Sequence, residues 1–183
     1  MRLAWIAPLL ASLALAACGG APRETSVDER VVRAISAVRL DPAEGVAALN
    51  AYRASRGLGA VRLDPALTAM AQRQADAMVA ANEMSHNVAG GFASRLAAAG
   101  VGASEAGENL GGGYYSVQEA MTGWRNSPEH DANLRLAAAT RMGVAIAKDP
   151  STEYKVYWAL ELAGEPPRAG VNAFLAAPST EAR

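Results

Sequence analysis

The sequence predicts an α+β domain in which helices cover one or both faces of a small, mainly antiparallel sheet. Three observations carry this. Asp-Pro helix starts recur at Asp41-Pro42 and Asp64-Pro65, each followed by apolar residues at helical spacing. Two β-type runs, Met142–Ala147 and Tyr154–Leu160, flank the turn Asp149-Pro150-Ser151 near the end of the chain. Helices first and a hairpin last is the order of an α+β fold. At 183 residues the chain suffices for one ordinary domain with appendages. Hydrophobic letters make up 51%, much of it alanine, and aromatics only 5%, so the core must rely on close helix contact more than on large rings.

The elements follow in order. Val27 to Leu40 carries Val31, Ile35 and Val38 at helical spacing and reads as a short helix. From Asp41 to about Arg56, Val46, Leu49 and Tyr52 share one face, and Gly57 terminates the helix. From Asp64 to about Asn82, Leu67, Met70, Ala71, Gln74, Ala75 and Met78 form an unbroken stripe, read as packing. Gly90-Gly91 breaks the chain, Phe92 to Ala99 forms a short helix and Gly100 stops it. Gly107 to Gly113 reads as a glycine-rich loop without the lysine and hydroxyl of a phosphate loop, with Asn109 bracing it. Ser116, with Glu119 three places on, opens the helix that carries Trp124, and Ser127-Pro128 ends it or starts another turn. Trp124 and Trp158 read as core. Asn50, Tyr52 and Arg53 read as an internal network, with Arg53 a candidate partner for a cleft carboxylate.

The chain's N-terminus carries a signal rather than fold. Arg2 precedes an uncharged run from Leu3 to Ala17, about 15 residues, against the roughly 20 a bilayer-crossing helix needs. Leu15-Ala16-Ala17-Cys18 resembles the lipobox of bacterial lipoproteins, the alternative being an ordinary signal peptide that happens to precede a cysteine. The resemblance implies cleavage after residue 17, a lipid on Cys18 and attachment to a membrane. Gly19 in the second mature position implies the outer membrane in a Gram-negative cell. Residues 18–40 are then lipidated N-terminus and tether, 41–164 the domain and 165–183 a loose tail. With its one cysteine acylated, the chain has no thiol for a disulfide, a nucleophile or a zinc-thiolate site. Seventeen basic against 18 acidic residues supply no field for a polyanion, so nucleic acid is not an expected partner.

The two histidines, His86 in Met84-Ser85-His86-Asn87 and His130 in Trp124 through His130, stand where core packing does not require them. Their company is Leu49-Asn50-Ala51-Tyr52-Arg53, Leu63-Asp64-Pro65-Ala66-Leu67, Gly107-Glu108-Asn109-Leu110, Met142-Gly143-Val144 and Tyr157-Trp158. In this order the motifs resemble the CAP superfamily (SCP domains), in its cysteine-free bacterial branch. That resemblance implies an α-β-α sandwich and a central cleft where His86, Glu108 and His130 converge. Two imidazoles, a carboxylate and a water make a plausible site for a divalent metal such as zinc. Many relatives have a second glutamate where this chain has Ser127. Glu129 lies nearby, and Asn109, Ser127 and Glu129 are the candidate ligand contacts.

Three functions are weighed. The first is an envelope-tethered binding module for a lipid, glycan, peptide or metal ion. The second is a metal-assisted hydrolase with Glu108 as ligand or base, for which Ser85 and Ser127 beside the histidines are the only nucleophile hints. The third is a structural or adhesion unit. The binding module is preferred, because a site with one acid missing suits holding better than turnover.

Overall fold

The computed structural model describes residues 28–167. The signal run, Cys18 and most of the tail lie outside them. Six helices and four strands follow in the order α1 Glu29–Ala37, α2 Pro42–Ser55, β1 Arg62–Leu63, α3 Pro65–Ala81, α4 Phe92–Ala98, β2 Ala106–Gly112, α5 Val117–Arg125, α6 Pro128–Leu134, β3 Ala139–Lys148 and β4 Val156–Gly164. The sheet runs β1-β3-β4-β2. β2, β4 and β3 are antiparallel, and β1 adds two residues parallel to β3. This is the α-β-α sandwich the resemblance implies. Among the described residues no helix is long and apolar enough to cross a membrane.

The helix starts form as their chemistry dictates. Asp41 accepts from Ala43 N–H, and Asp64 from those of Ala66 and Leu67, each with proline in the first turn where no N–H is needed. Ser116 accepts from Glu119 N–H, while the Glu119 carboxylate reaches back to Tyr115 N–H at 2.7 Å. α3 ends at Asn82, left-handed at φ 49°.

β4 is buried along its whole length, and its residues alternate between two layers. Val156, Trp158, Leu160 and Leu162, with Met142 and Val144 of β3, face α2, α5 and α6. Trp124 and Trp158 meet there edge to face, 6.5 Å between centroids, and both are core as expected. Tyr157 and Ala159, with Ala145 and Ala147, face α3 through Ala71, Ala75 and Met78, and Ala163 meets Leu67 further along the same layer. Every residue of the expected α3 stripe is buried.

Four expectations change. Gly107–Gly113 is not a loop: all but Gly113 lie in β2, paired to β4 from Ala106↔Ala163 to Gly112↔Tyr157. Its glycines make room for neighbours, since a Cβ at Gly112 would fall 2.5 Å from the Tyr154 ring and one at Gly111 2.8 Å from Tyr114. Residues 29–40 are not tether, because Ile35 and Val38 of the α1 segment are buried in the main core. The body also continues past residue 164: Glu165 O accepts from Ser104 N–H, and the Glu165 carboxylate holds Arg62 and Thr140. Finally, Arg53 meets no carboxylate among the described residues. Fully buried, it donates to the carbonyls of Gly59, Leu134, Leu136 and Ala139 and ties α2 to the chain between α6 and β3.

Candidate functional site

α3 ends one turn before His86, and the chain between is pinned by Gln74, whose buried amide donates to Ser85 O at 2.7 Å. From there the His86 ring reaches β2. His86 Nδ1 lies 2.6 Å from Glu108 Oε1, with the imidazole 57% exposed and the carboxylate 3%. A carboxylate on Nδ1 fixes the ring's orientation and favours the tautomer with the hydrogen on Nδ1.

Glu108 does not stand alone. Arg95 of α4 donates to Glu108 Oε2 at 2.7 Å and to Glu161 Oε1 at 3.3 Å. Glu161 pairs directly with Glu108 across the β2–β4 ladder and, on its other side, with Gly143 of β3. Two carboxyl groups therefore share one guanidinium inside the protein. Burial, and then the neighbouring Glu108 charge, push the Glu161 carboxyl up to about 9, against the pull of Arg95, so at neutral pH it keeps its proton.

His130 is carried by α6, which packs against β2. Its carbonyl accepts from the Asn109 amide at 3.0 Å, and Asn133 of the same helix donates to Glu108 O and Asn109 Oδ1, both at 2.9 Å. A Cβ at Gly107 would fall 2.8 Å from Asn133 Oδ1, so glycine there lets α6 close on β2. On the far side of α6 the Tyr52 hydroxyl donates to Asp131, which also holds Arg135. The His130 imidazole is held below its usual proton affinity, first by burial and then by the His86 charge, with Glu129 opposing. The two imidazoles are close enough to feel each other's charge.

The sequence-derived residues thus divide by position. His86 is exposed and bonded to Glu108 of β2, and His130 is half-buried on α6. Asn109 is fully buried with its amide engaged by protein, so it braces His130 instead of lining the cleft. Ser127 is the half-buried N-cap of α6 and its hydroxyl makes no capping bond. Glu129 is exposed at the rim. Ser85 Oγ accepts from Asn87 N–H.

Sequence reasoning missed Arg95 and Glu161. A signal existed, since each is a charge inside an otherwise apolar stretch, Phe92-Ala93-Ser94-Arg95-Leu96-Ala97-Ala98 and Trp158-Ala159-Leu160-Glu161-Leu162-Ala163.

The model of the cysteine-rich secretory protein family, CAP, matches residues 46–162, more than half of the chain. The chain belongs to the CAP family. Solved CAP-like structures agree in fold. An extracellular SCP-domain protein from Bacillus anthracis superposes with a TM-score of 0.59 at 24% identity, over 67% of this chain and 39% of that one. An outer surface protein from Borrelia burgdorferi gives 0.60 at 17% identity, over 69% and 96%. A cysteine-rich secretory protein from Staphylococcus aureus gives 0.54 at 17%, over 79% and 40%. This chain spans about two fifths of the Bacillus and Staphylococcus proteins. No curated protein matches the sequence closely enough to compare.

The donor set decides how this CAP domain would hold a metal. Among the described residues no group of three or more His, Cys, Asp or Glu side chains is arranged around one point. Both Glu108 oxygens already have protein partners, which leaves the two imidazoles as donors and Glu108 in the supporting position behind one of them.

Proposed function

We propose that this protein is an exported, lipid-anchored binding module of the cell envelope, whose CAP cleft holds a divalent ion such as zinc between His86 and His130 and takes a small or lipid-like ligand beside it. The observation that supports this most is the His86–Glu108 contact, which holds an oriented imidazole with more than half of its surface open. Glu108 holds the ring through Nδ1, the arrangement by which a carboxylate orients a metal-ligating histidine. A bound ion would supply a Lewis-acidic point carrying an exchangeable water or a ligand oxygen. Glu129 at the rim adds negative charge next to His130. Export fits the signal run and Cys18, and the solved relatives are described as extracellular and outer surface proteins. In a Gram-negative cell Gly19 places the anchor in the outer membrane.

Zinc titration by calorimetry tests the reading. One saturable site is expected for the parent protein, weakened at least tenfold in His86→Ala and in His130→Ala. Equal heats in all three remove the metal. A second reading, hydrolysis of envelope or peptide substrates, draws on the same contact, because a carboxylate on Nδ1 also orients an imidazole for proton transfer. It requires turnover that Glu108→Gln abolishes.

A further inference from the structure

Arg95 lies in α4, a helix of seven residues, and is 7% exposed. Its guanidinium engages with all three nitrogens. Nε donates to Gly90 O at 3.0 Å, Nη1 to Glu161 Oε1 at 3.3 Å, and Nη2 to both Glu108 Oε2 at 2.7 Å and His86 O at 3.2 Å. The Phe92 ring stands 5.5 Å from the guanidinium carbon. One planar group thus holds both the main chain that carries the imidazole and the carboxylate that orients it.

We propose that Arg95 is the positioning residue of the cleft: it locks the His86 backbone and the Glu108 carboxylate into one register, so that the imidazole keeps its hydrogen on Nδ1 and presents Nε2, while Glu161 holds the guanidinium from the far side. Neutralising the buried Glu108 charge would need only the bond to Glu108. The bonds to His86 O and Gly90 O do nothing for charge and fix the chain on either side of the turn from residue 86 to 90. Lysine cannot replace this, since an ammonium is a point charge without the rigid fork that spans four acceptors. The cleft reading above supplies the purpose of the ring's orientation, and the inference rests on it in that respect. The geometry does not depend on any ion.

Nitrogen-resolved NMR of the histidine rings, at one fixed pH above the imidazole range, tests this on the mature protein and on Arg95→Lys. The parent is expected to show His86 as a single Nδ1–H tautomer, and Arg95→Lys to lose that signature while the His130 signals and a cooperative melt show the fold intact. A folded Arg95→Lys in which His86 keeps the same tautomer overturns the proposal. Should the variant not fold, the parent decides by itself. Separate, slowly exchanging guanidinium signals for Arg95 are expected, and a single averaged, fast-exchanging one overturns it. Neither readout involves zinc. A protein that binds no zinc but shows these signatures keeps its positioning residue and loses only the metal.

Discussion

The two faces of β4 are built on opposite plans. Toward α2, α5 and α6 the strand presents Trp158, Leu160 and Leu162 to a dry layer of large side chains. Toward α3 it presents Tyr157 at one end and then Ala159, Glu161 and Ala163, small residues and one acid, opposite Gly143, Ala145 and Ala147 of β3. The first face obtains its stability from area removed from water, at about 25 cal/mol per Å². The second obtains closeness: α3 lies so near β3 that a Cβ at Gly143 would sit 2.1 Å from the Leu67 carbonyl carbon. On this face Glu108, Glu161 and Arg95 meet in a small buried polar cluster. One face is held by large apolar side chains, and the other carries the buried pair of acids with their shared arginine.

Substitutions on the two faces should differ accordingly. Trp158→Ala removes the largest fully buried side chain of the first face and is expected to cost about 3–5 kcal/mol in denaturant unfolding. A loss below about 1 kcal/mol would contradict the assignment of that face. Gly143→Ala adds only a methyl group, yet on the second face it meets backbone. A loss of about 3 kcal/mol is expected from overpacking, with α3 forced away from β3. A neutral result would show that the close approach is not needed.

Much of this division can be read from the letters, and the rest for physical reasons cannot. The Asp-Pro starts and the α3 stripe are local signals, and they place α2 and α3 to within a residue or two of their observed ends. β2 was hidden because Gly111 and Gly112 look like loop residues. They are strand residues whose missing side chains are replaced in space by Tyr114 and Tyr154. β1 is two residues long and has no periodicity to detect. The family resemblance points to His86, Glu108 and His130, but not to the pairing of both Glu108 oxygens with His86 and Arg95. That pairing depends on Arg95, 13 residues from Glu108, and on the cross-ladder register that sets Glu161 beside it. Register is a property of the folded sheet and is not written in any one segment.

The buried acid gives a pH-dependent way to separate the faces. With its folded value at about 9, well above the ordinary glutamate range, Glu161 binds its proton more tightly folded than unfolded. Its contribution is therefore fully present below the unfolded value near 4.5 and is lost as pH rises toward 9. Stability should fall across that window by at most about 1 kcal/mol per pH unit. In Glu161→Gln, which keeps an oxygen for Arg95 but does not titrate, the slope should flatten. Substitutions on the tryptophan face should leave the slope as it is. An unchanged slope in Glu161→Gln would mean that the acid is ionised within the fold.

The central claim is that His86 and His130 face one cleft, each within reach of the other's charge. Following the His130 ring by NMR through a pH titration, in the parent protein and in His86→Ala, tests it most directly. Because burial and the His86 charge together hold His130 below its ordinary value, removing His86 should raise the His130 midpoint, leaving only the part due to burial. A His130 midpoint that is the same with and without His86 would place the two imidazoles in separate environments and contradict the shared site.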